Sequence, residues 1–225
     1  MAKRENYMSD QNSIPTLEDD LQEFIRHEAI GFARPERSAL LVIDMQNFFT
    51  DESSHAFIPS IGSIIPKINA LIELYSTTGL PILFSRHGLL EGEHPGIMAE
   101  WWSDTVMEGT KQAELAPDLT VPEDAIVFRK TTYDCFHGTE LHRTLTDLGV
   151  KTLAITGVMT HLCCETTARA AFVRDFQVLF VMDATATVNR DLHLSTLRTL
   201  ADGFAVPCTT ADLIATIKAD HGGGV

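Results

Sequence analysis

Three side chains of different chemistry stand at comparable places in this sequence. Asp44 closes the apolar run Ala39-Leu-Leu-Val-Ile43, and Lys130 closes a second run that starts at Ala125. Cys163 follows a third run, Thr152 to Thr156, across the turn Gly157-Val-Met-Thr160. A thiol at a helix N-terminus beside a cation is expected to have a lowered pKa and to act as a thiolate nucleophile. A neighbouring carboxylate can take its proton and later return one to a leaving amine. Backbone N–H groups at the turn and helix start can hold the oxyanion of a tetrahedral intermediate. The set suits hydrolysis of a carbon–nitrogen bond through a thioester and requires no metal. Singly, each residue has an ordinary structural role open to it: a capping Asp, a solvated Lys, a small buried Cys. Their coincidence gives the set its weight.

These residues need a scaffold that brings distant strand ends together. Apolar runs at 39–43 and 81–85 have the look of strands buried on both faces, and 125–128, 152–156, 178–182 and 205–207 read as further strands. Helical patterns separate most of them, at 64–74, 139–148, 162–174 and 191–202, with a last one at 211–218. Such alternation produces right-handed crossovers and a parallel sheet with helices on both sides, an α/β fold. Ligands in open parallel sheets bind beyond the carboxyl ends of the strands, where Asp44, Lys130 and Cys163 fall. The stretch 86–122 is long and irregular, and a loop of that length in a compact domain is usually functional. Residues 1–37 form an extension with one short helical pattern at 17–27, carrying Leu17, Leu21, Phe24 and Ile25 on one face. It is expected to pack on the body or a neighbouring subunit, or to serve as a docking arm. Residues 38–225 form the catalytic domain.

Composition narrows the function classes. The 225 residues carry 17 Lys and Arg against 31 Asp and Glu, a net charge of −14 that repels nucleic acid and anionic lipid. No membrane span or targeting pattern is evident. The four cysteines, Cys135, Cys163, Cys164 and Cys208, form no CxxC pair and read as reduced, which points to the cytoplasm. Adjacent helix positions point about 100° apart, so Cys163 and Cys164 cannot share a site. Cys163 lies in the first helical turn and is the expected nucleophile. Cys164 is expected to pack in the core.

The segments Leu41-Val-Ile-Asp-Met-Gln-Asn47, Phe128-Arg-Lys-Thr-Thr-Tyr-Asp-Cys-Phe136 and Thr156-Gly-Val-Met-Thr-His-Leu-Cys163 closely resemble the isochorismatase-like cysteine hydrolases. Thr166-Thr-Ala-Arg-Ala170 and Val181-Met-Asp-Ala-Thr185 match as well. The resemblance implies a three-layer αβα sandwich around a six-stranded parallel sheet and a triad of Asp44, Lys130 and Cys163. It also implies a cis peptide between Val158 and Met159, with the N–H groups of Met159 and Cys163 forming an oxyanion hole, and assembly as a homodimer or homotetramer. Nicotinamidases of the family carry an Asp-x-His metal motif after the second strand. Ser85-Arg86-His87 stands there instead, with His94 the only nearby partner, so neither a bound metal nor nicotinamidase activity is expected. True isochorismatases have glycine where Cys163 stands and need no thiol for vinyl-ether hydrolysis. Cys163 therefore favours a small amide or N-carbamoyl substrate, with isochorismatase as the alternative and a non-catalytic scaffold third. Gln46, Phe48, Arg86, His87, Trp102 and Tyr133 are the expected substrate contacts, with Arg86 the candidate for an anionic group.

Overall fold

The computed structural model describes residues 3–8, 13–25 and 37–222. Six strands make one sheet: β1 (Ser38–Ile43), β2 (Ile82–His87), β3 (Ile126–Lys130), β4 (Thr152–Val158), β5 (Gln177–Ala186) and β6 (Val206–Cys208). All neighbours run parallel in the order β3-β2-β1-β4-β5-β6. The helices are α1 (Ser13–Leu21), α2 (Asn47–Thr50), α3 (Ile61–Thr78), α4 (Gly96–Trp102), α5 (Leu141–Asp147), α6 (Glu165–Phe172), α7 (Arg190–Gly203) and α8 (Thr210–Gly222). The parallel sheet with helices on both faces expected from the alternation is present, as is the three-layer αβα sandwich that the resemblance implies.

Strand geometry explains the apolar runs. Successive side chains on a strand face opposite ways, so a strand covered on both faces must be apolar throughout. Leu40 and Val42 of β1 join a core with Ile64, Ile68, Leu71 and Tyr75 of α3 and Leu213 and Ile217 of α8. Ala39, Leu41 and Ile43 point the other way, into a core with Leu145 of α5, Ala168 of α6 and Leu197 of α7. Leu17 and Leu21 of α1 are buried in that second core, so this part of the extension packs on the body of its own chain. The helix is shifted from the expected 17–27: it starts at Ser13 and ends at Leu21, residues 22–25 are not helical, and residues 26 and 27 lie outside the described residues.

Three elements differ from expectation. Helix α3 starts a turn earlier than the pattern at 64–74, with Pro66 inside it, and ends where Gly79 takes the left-handed conformation at φ 69. Strand β5 runs past Met182 to Ala186, because Asp183 is accommodated within it: its Oδ1 accepts from the Thr210 N–H at 2.7 Å and its Oδ2 lies 3.3 Å from Lys67 Nζ. The helix after β4 opens as a π-helical turn, Thr160–Cys164, before becoming the regular α6. Such turns are rare and concentrate at functional sites.

The sheet order reverses between β1 and β4, so their connections leave in opposite directions and open a crevice at their carboxyl ends. Gly157 makes that crevice possible. Its φ is +105, and a Cβ there would overlap the Ile43 carbonyl oxygen. A residue with a side chain would force β1 and β4 apart at the point where Asp44 and the π-helical turn emerge.

Candidate active site

Asp44 leaves β1 with φ 51, a left-handed conformation that Asp tolerates better than most residues. Its amide N–H donates to the Ser85 carbonyl at 3.2 Å, and the Ser85 hydroxyl donates to Asp44 Oδ1 at 2.7 Å. The other carboxylate oxygen, Oδ2, lies 2.6 Å from Lys130 Nζ, with both side chains fully buried. Lys130 Nζ also donates to Cys163 Sγ at 3.4 Å and to the Thr132 carbonyl at 2.9 Å. The ammonium thus pairs with one carboxylate and donates to two further acceptors. One ammonium thus links the ends of β1 and β3 to the π-helical turn after β4.

The electrostatics follow from burial. Removal from water would by itself lower the Lys130 pKa, but the Asp44 carboxylate outweighs it and holds the ammonium protonated well above its ordinary value. Burial pushes the Cys163 thiol up, against the pull of Lys130 and with the help of the Asp44 charge. The expected depressed thiol is therefore not found, because desolvation and the nearby carboxylate exceed the effect of the cation. Cys163 rests as a thiol beside the Asp44 carboxylate.

Cys163 opens onto a narrow slot of largely apolar lining. Phe48, His87, Trp102, Tyr133 and Met159 line it with Cys163, as do Phe49, Met98, Leu162 and the segment Asp104-Thr105-Val106, which sequence reasoning missed. Trp102 Nε1 donates to Tyr133 Oη at 2.6 Å across one wall, whereas Trp101 points into solvent. The peptide joining Val158 and Met159 is cis. Met159 O accepts from the Leu162 and Cys164 N–H groups at 3.0 and 3.2 Å, which holds the turn around Cys163. Burial pushes His87 down to about 4, so its ring is neutral near pH 7.

Two expected substrate contacts lie elsewhere. Gln46 Nε2 donates to the carbonyls of His87 and Ala113, both at 2.9 Å, while its Oε1 accepts from the His87 N–H at 2.7 Å. It ties the end of β2 to the long loop. Arg86 pairs with Glu108 at 3.1 Å and does not line the slot. Neither residue type announces its partner in sequence, because both partners come from distant segments. Ser85 was missed for the same reason. Its role arises from the register that sets Ile43 beside Ser85.

The donor set argues against a resident metal ion. Ser85 stands where a carboxylate ligand would be needed, and its hydroxyl is engaged with Asp44. His94 Nδ1 accepts from the Gly96 N–H at 3.0 Å on an exposed loop. Among the described residues, no three His, Cys, Asp or Glu side chains are grouped to hold a metal ion.

Residues 38–212 match the Isochorismatase domain family. The chain belongs to the isochorismatase family. It is 39% identical to Nicotinamidase 3 of Arabidopsis thaliana, over 75% of this chain and 82% of that protein. It is 32% identical to Enterobactin synthase component B of Escherichia coli K12, over 80% of this chain but only 63% of that longer protein. A crystal structure of a cysteine hydrolase from Pseudomonas syringae pv. phaseolicola 1448A superposes with a TM-score of 0.80 at 25% identity, covering 87% of this chain and 97% of the other. The family is hydrolytic. Among the described residues no helix is long and apolar enough to cross a membrane.

Proposed function

We propose that this protein is a cysteine amidohydrolase that cleaves the C–N bond of a small, uncharged amide or N-carbamoyl compound. The observation that carries this reading is the Lys130 ammonium, buried and bonded at once to Asp44 and to Cys163 at the base of the slot. Cys163 Sγ attacks the substrate carbonyl carbon while Asp44 takes the thiol proton. The N–H groups of Met159 and Cys163 hold the resulting oxyanion. Asp44 then returns the proton to the nitrogen, and the amine leaves as the thioester forms. A water molecule attacks the thioester in the second half, with Asp44 as base, and Cys163 recovers its proton as the acid departs. Lys130 keeps Asp44 oriented and offsets its charge throughout.

The slot's chemistry supports an uncharged substrate. No Lys or Arg lines it, His87 is neutral, and Arg86 is already paired. A dicarboxylate such as isochorismate would find no cation there, which weighs against vinyl-ether hydrolysis. Phe48, Trp102 and Tyr133 instead offer flat apolar walls to a planar acyl group. Together with the likeness to Nicotinamidase 3, this returns aromatic carboxamides to the candidates that the missing metal motif had set aside.

The test is ammonia release from nicotinamide, aliphatic amides, ureido acids and biuret, alongside isochorismate turnover, for wild type and Cys163→Ala. Ammonia release that vanishes in the variant, with an acyl-enzyme mass adduct on Cys163, supports the reading. Isochorismate turnover that survives Cys163→Ala would overturn it and leave Asp44 as the acid of a vinyl-ether hydrolase.

A further inference from the structure

A polar chain from the amino-terminal segment ends on the catalytic turn. Residues Lys3–Met8 lie over the loop between β5 and α7 and are pinned there by backbone contacts. The Glu5 N–H donates to the Val188 carbonyl at 2.9 Å, and Glu5 Oε1 accepts from the Arg190 N–H at 3.0 Å. Asn189 Nδ2 donates to the Lys3 carbonyl at 3.2 Å, and Arg4 Nη1 donates to the Phe57 carbonyl at 2.8 Å. Between these anchors and the buried Met8, Tyr7 turns inward with its ring 5.2 Å from that of His193.

The Tyr7 hydroxyl accepts from the Thr187 N–H at 3.0 Å and bonds the Thr160 side chain in turn. Thr160 Oγ1 lies 2.9 Å from His193 Nδ1. Burial pushes His193 down to about 3, so its ring is neutral and Nδ1 can accept. The Tyr7 hydroxyl is thus held by the Thr187 N–H, and the Thr160 hydroxyl lies between Tyr7 and His193. Thr160 is fully buried, opens the π-helical turn that carries Cys163, and directly follows Met159. None of Tyr7, Thr160 and His193 lines the slot, and the reaction steps above make no use of them.

We propose that the segment Lys3–Met8 belongs to the catalytic apparatus, with Tyr7 a positioning residue whose hydroxyl fixes Thr160 and thereby aims the Met159 N–H at the oxyanion. The inference rests on the amidohydrolase reading, since only a tetrahedral intermediate needs that N–H. Oxyanion donors act through pre-set geometry, and small displacements weaken them more than they weaken substrate binding.

The test uses the full chain with Tyr7→Phe, which keeps the ring and removes the hydroxyl, and Thr160→Val and Thr160→Ser. On an amide that wild type hydrolyses, Tyr7→Phe and Thr160→Val are expected to lower kcat about tenfold with KM changed less than about twofold. The double variant should be no slower than either single one, and Thr160→Ser should recover most of the rate. Alkylation of Cys163 by iodoacetamide, which forms no oxyanion, should keep its wild-type rate in every variant. Hydrogen exchange of the amides from Met159 to Cys164 should accelerate in Tyr7→Phe. A wild-type kcat in Tyr7→Phe, or equal losses in kcat and alkylation rate, would overturn the positioning role. Amide hydrolysis that persists in Cys163→Ala sinks the functional reading instead, and the exchange measurement still decides whether Tyr7 holds the turn.

Discussion

Lys130→Met separates electrostatic from steric explanations of this site. Methionine fills a similar volume but removes the cation 2.6 Å from Asp44 Oδ2, in a pair with no solvent exposure on either side. Asp44 would keep the Ser85 hydroxyl at 2.7 Å and the Cys163 thiol, neither of which carries a compensating charge. Breaking one side of a buried pair costs about 3–5 kcal/mol, mostly as the penalty of the orphaned ion. With a urea slope of about 3 kcal/mol per molar, the unfolding midpoint should fall by about 1–1.7 M. Asp44→Asn/Lys130→Met leaves no buried charge, and its deficit should be only about 1–2 kcal/mol. The two variants and the Asp44→Asn single complete a double-mutant cycle, read by equilibrium urea unfolding, with an expected coupling above about 2 kcal/mol. A Lys130→Met protein within about 1 kcal/mol of wild type, or a double variant less stable than Lys130→Met, would refute the account of a mutually dependent pair.

Gly157→Ala should destabilise the fold by at least about 3 kcal/mol, seen as a lower thermal midpoint, because the new methyl meets the Ile43 carbonyl at a backbone φ of +105. Trp102→Phe removes the indole N–H that holds Tyr133 at 2.6 Å. It should raise KM about fivefold in steady-state kinetics and leave kcat nearly unchanged, since that bond shapes the wall and not the reacting atoms. Burial holds His87 at about 4 and His193 at about 3, below the ordinary histidine value, so the folded protein binds fewer protons than the unfolded chain. Their contribution is complete above about pH 6.5 and is lost on acidification, at up to about 1.4 kcal/mol per pH unit per histidine down to about pH 4. Urea midpoints measured from pH 7 to 4 should fall less steeply in His87→Gln/His193→Gln.

The strands and the three reactive residues were legible because their signals are local. A strand covered on both faces must be apolar along its length, and β1 ends abruptly at Asp44. The alternation of strands and helices located Lys130 at the end of the edge strand β3 and Cys163 just past the end of β4. What could not be read depends on contacts between distant segments. The charge on Asp183 looks like the end of a strand until Lys67 and Thr210 are seen beside it. Gln46 and Arg86 have side chains suited to substrate, but their hydrogen-bonding capacity is taken by the long loop. Ser85 is an ordinary strand residue until register sets it against Asp44. The Cys163 thiol reverses its expected shift because burial is a property of the packed core and has no local signal.

The reacting groups and the outer wall of the slot have different foundations. Lys130 ends β3, Asp44 directly follows β1, and Cys163 lies in a turn fastened to β4. Met98, Trp102 and Asp104-Thr105-Val106 all come from the segment between β2 and β3. Helix α4 within that segment has no buried residue at all. A change there can therefore reshape what the slot admits at small cost to the stability of the sheet. Swapping residues 90–106 between members of the family is thus a direct way to transplant substrate preference while the hydrolytic machinery stays in place.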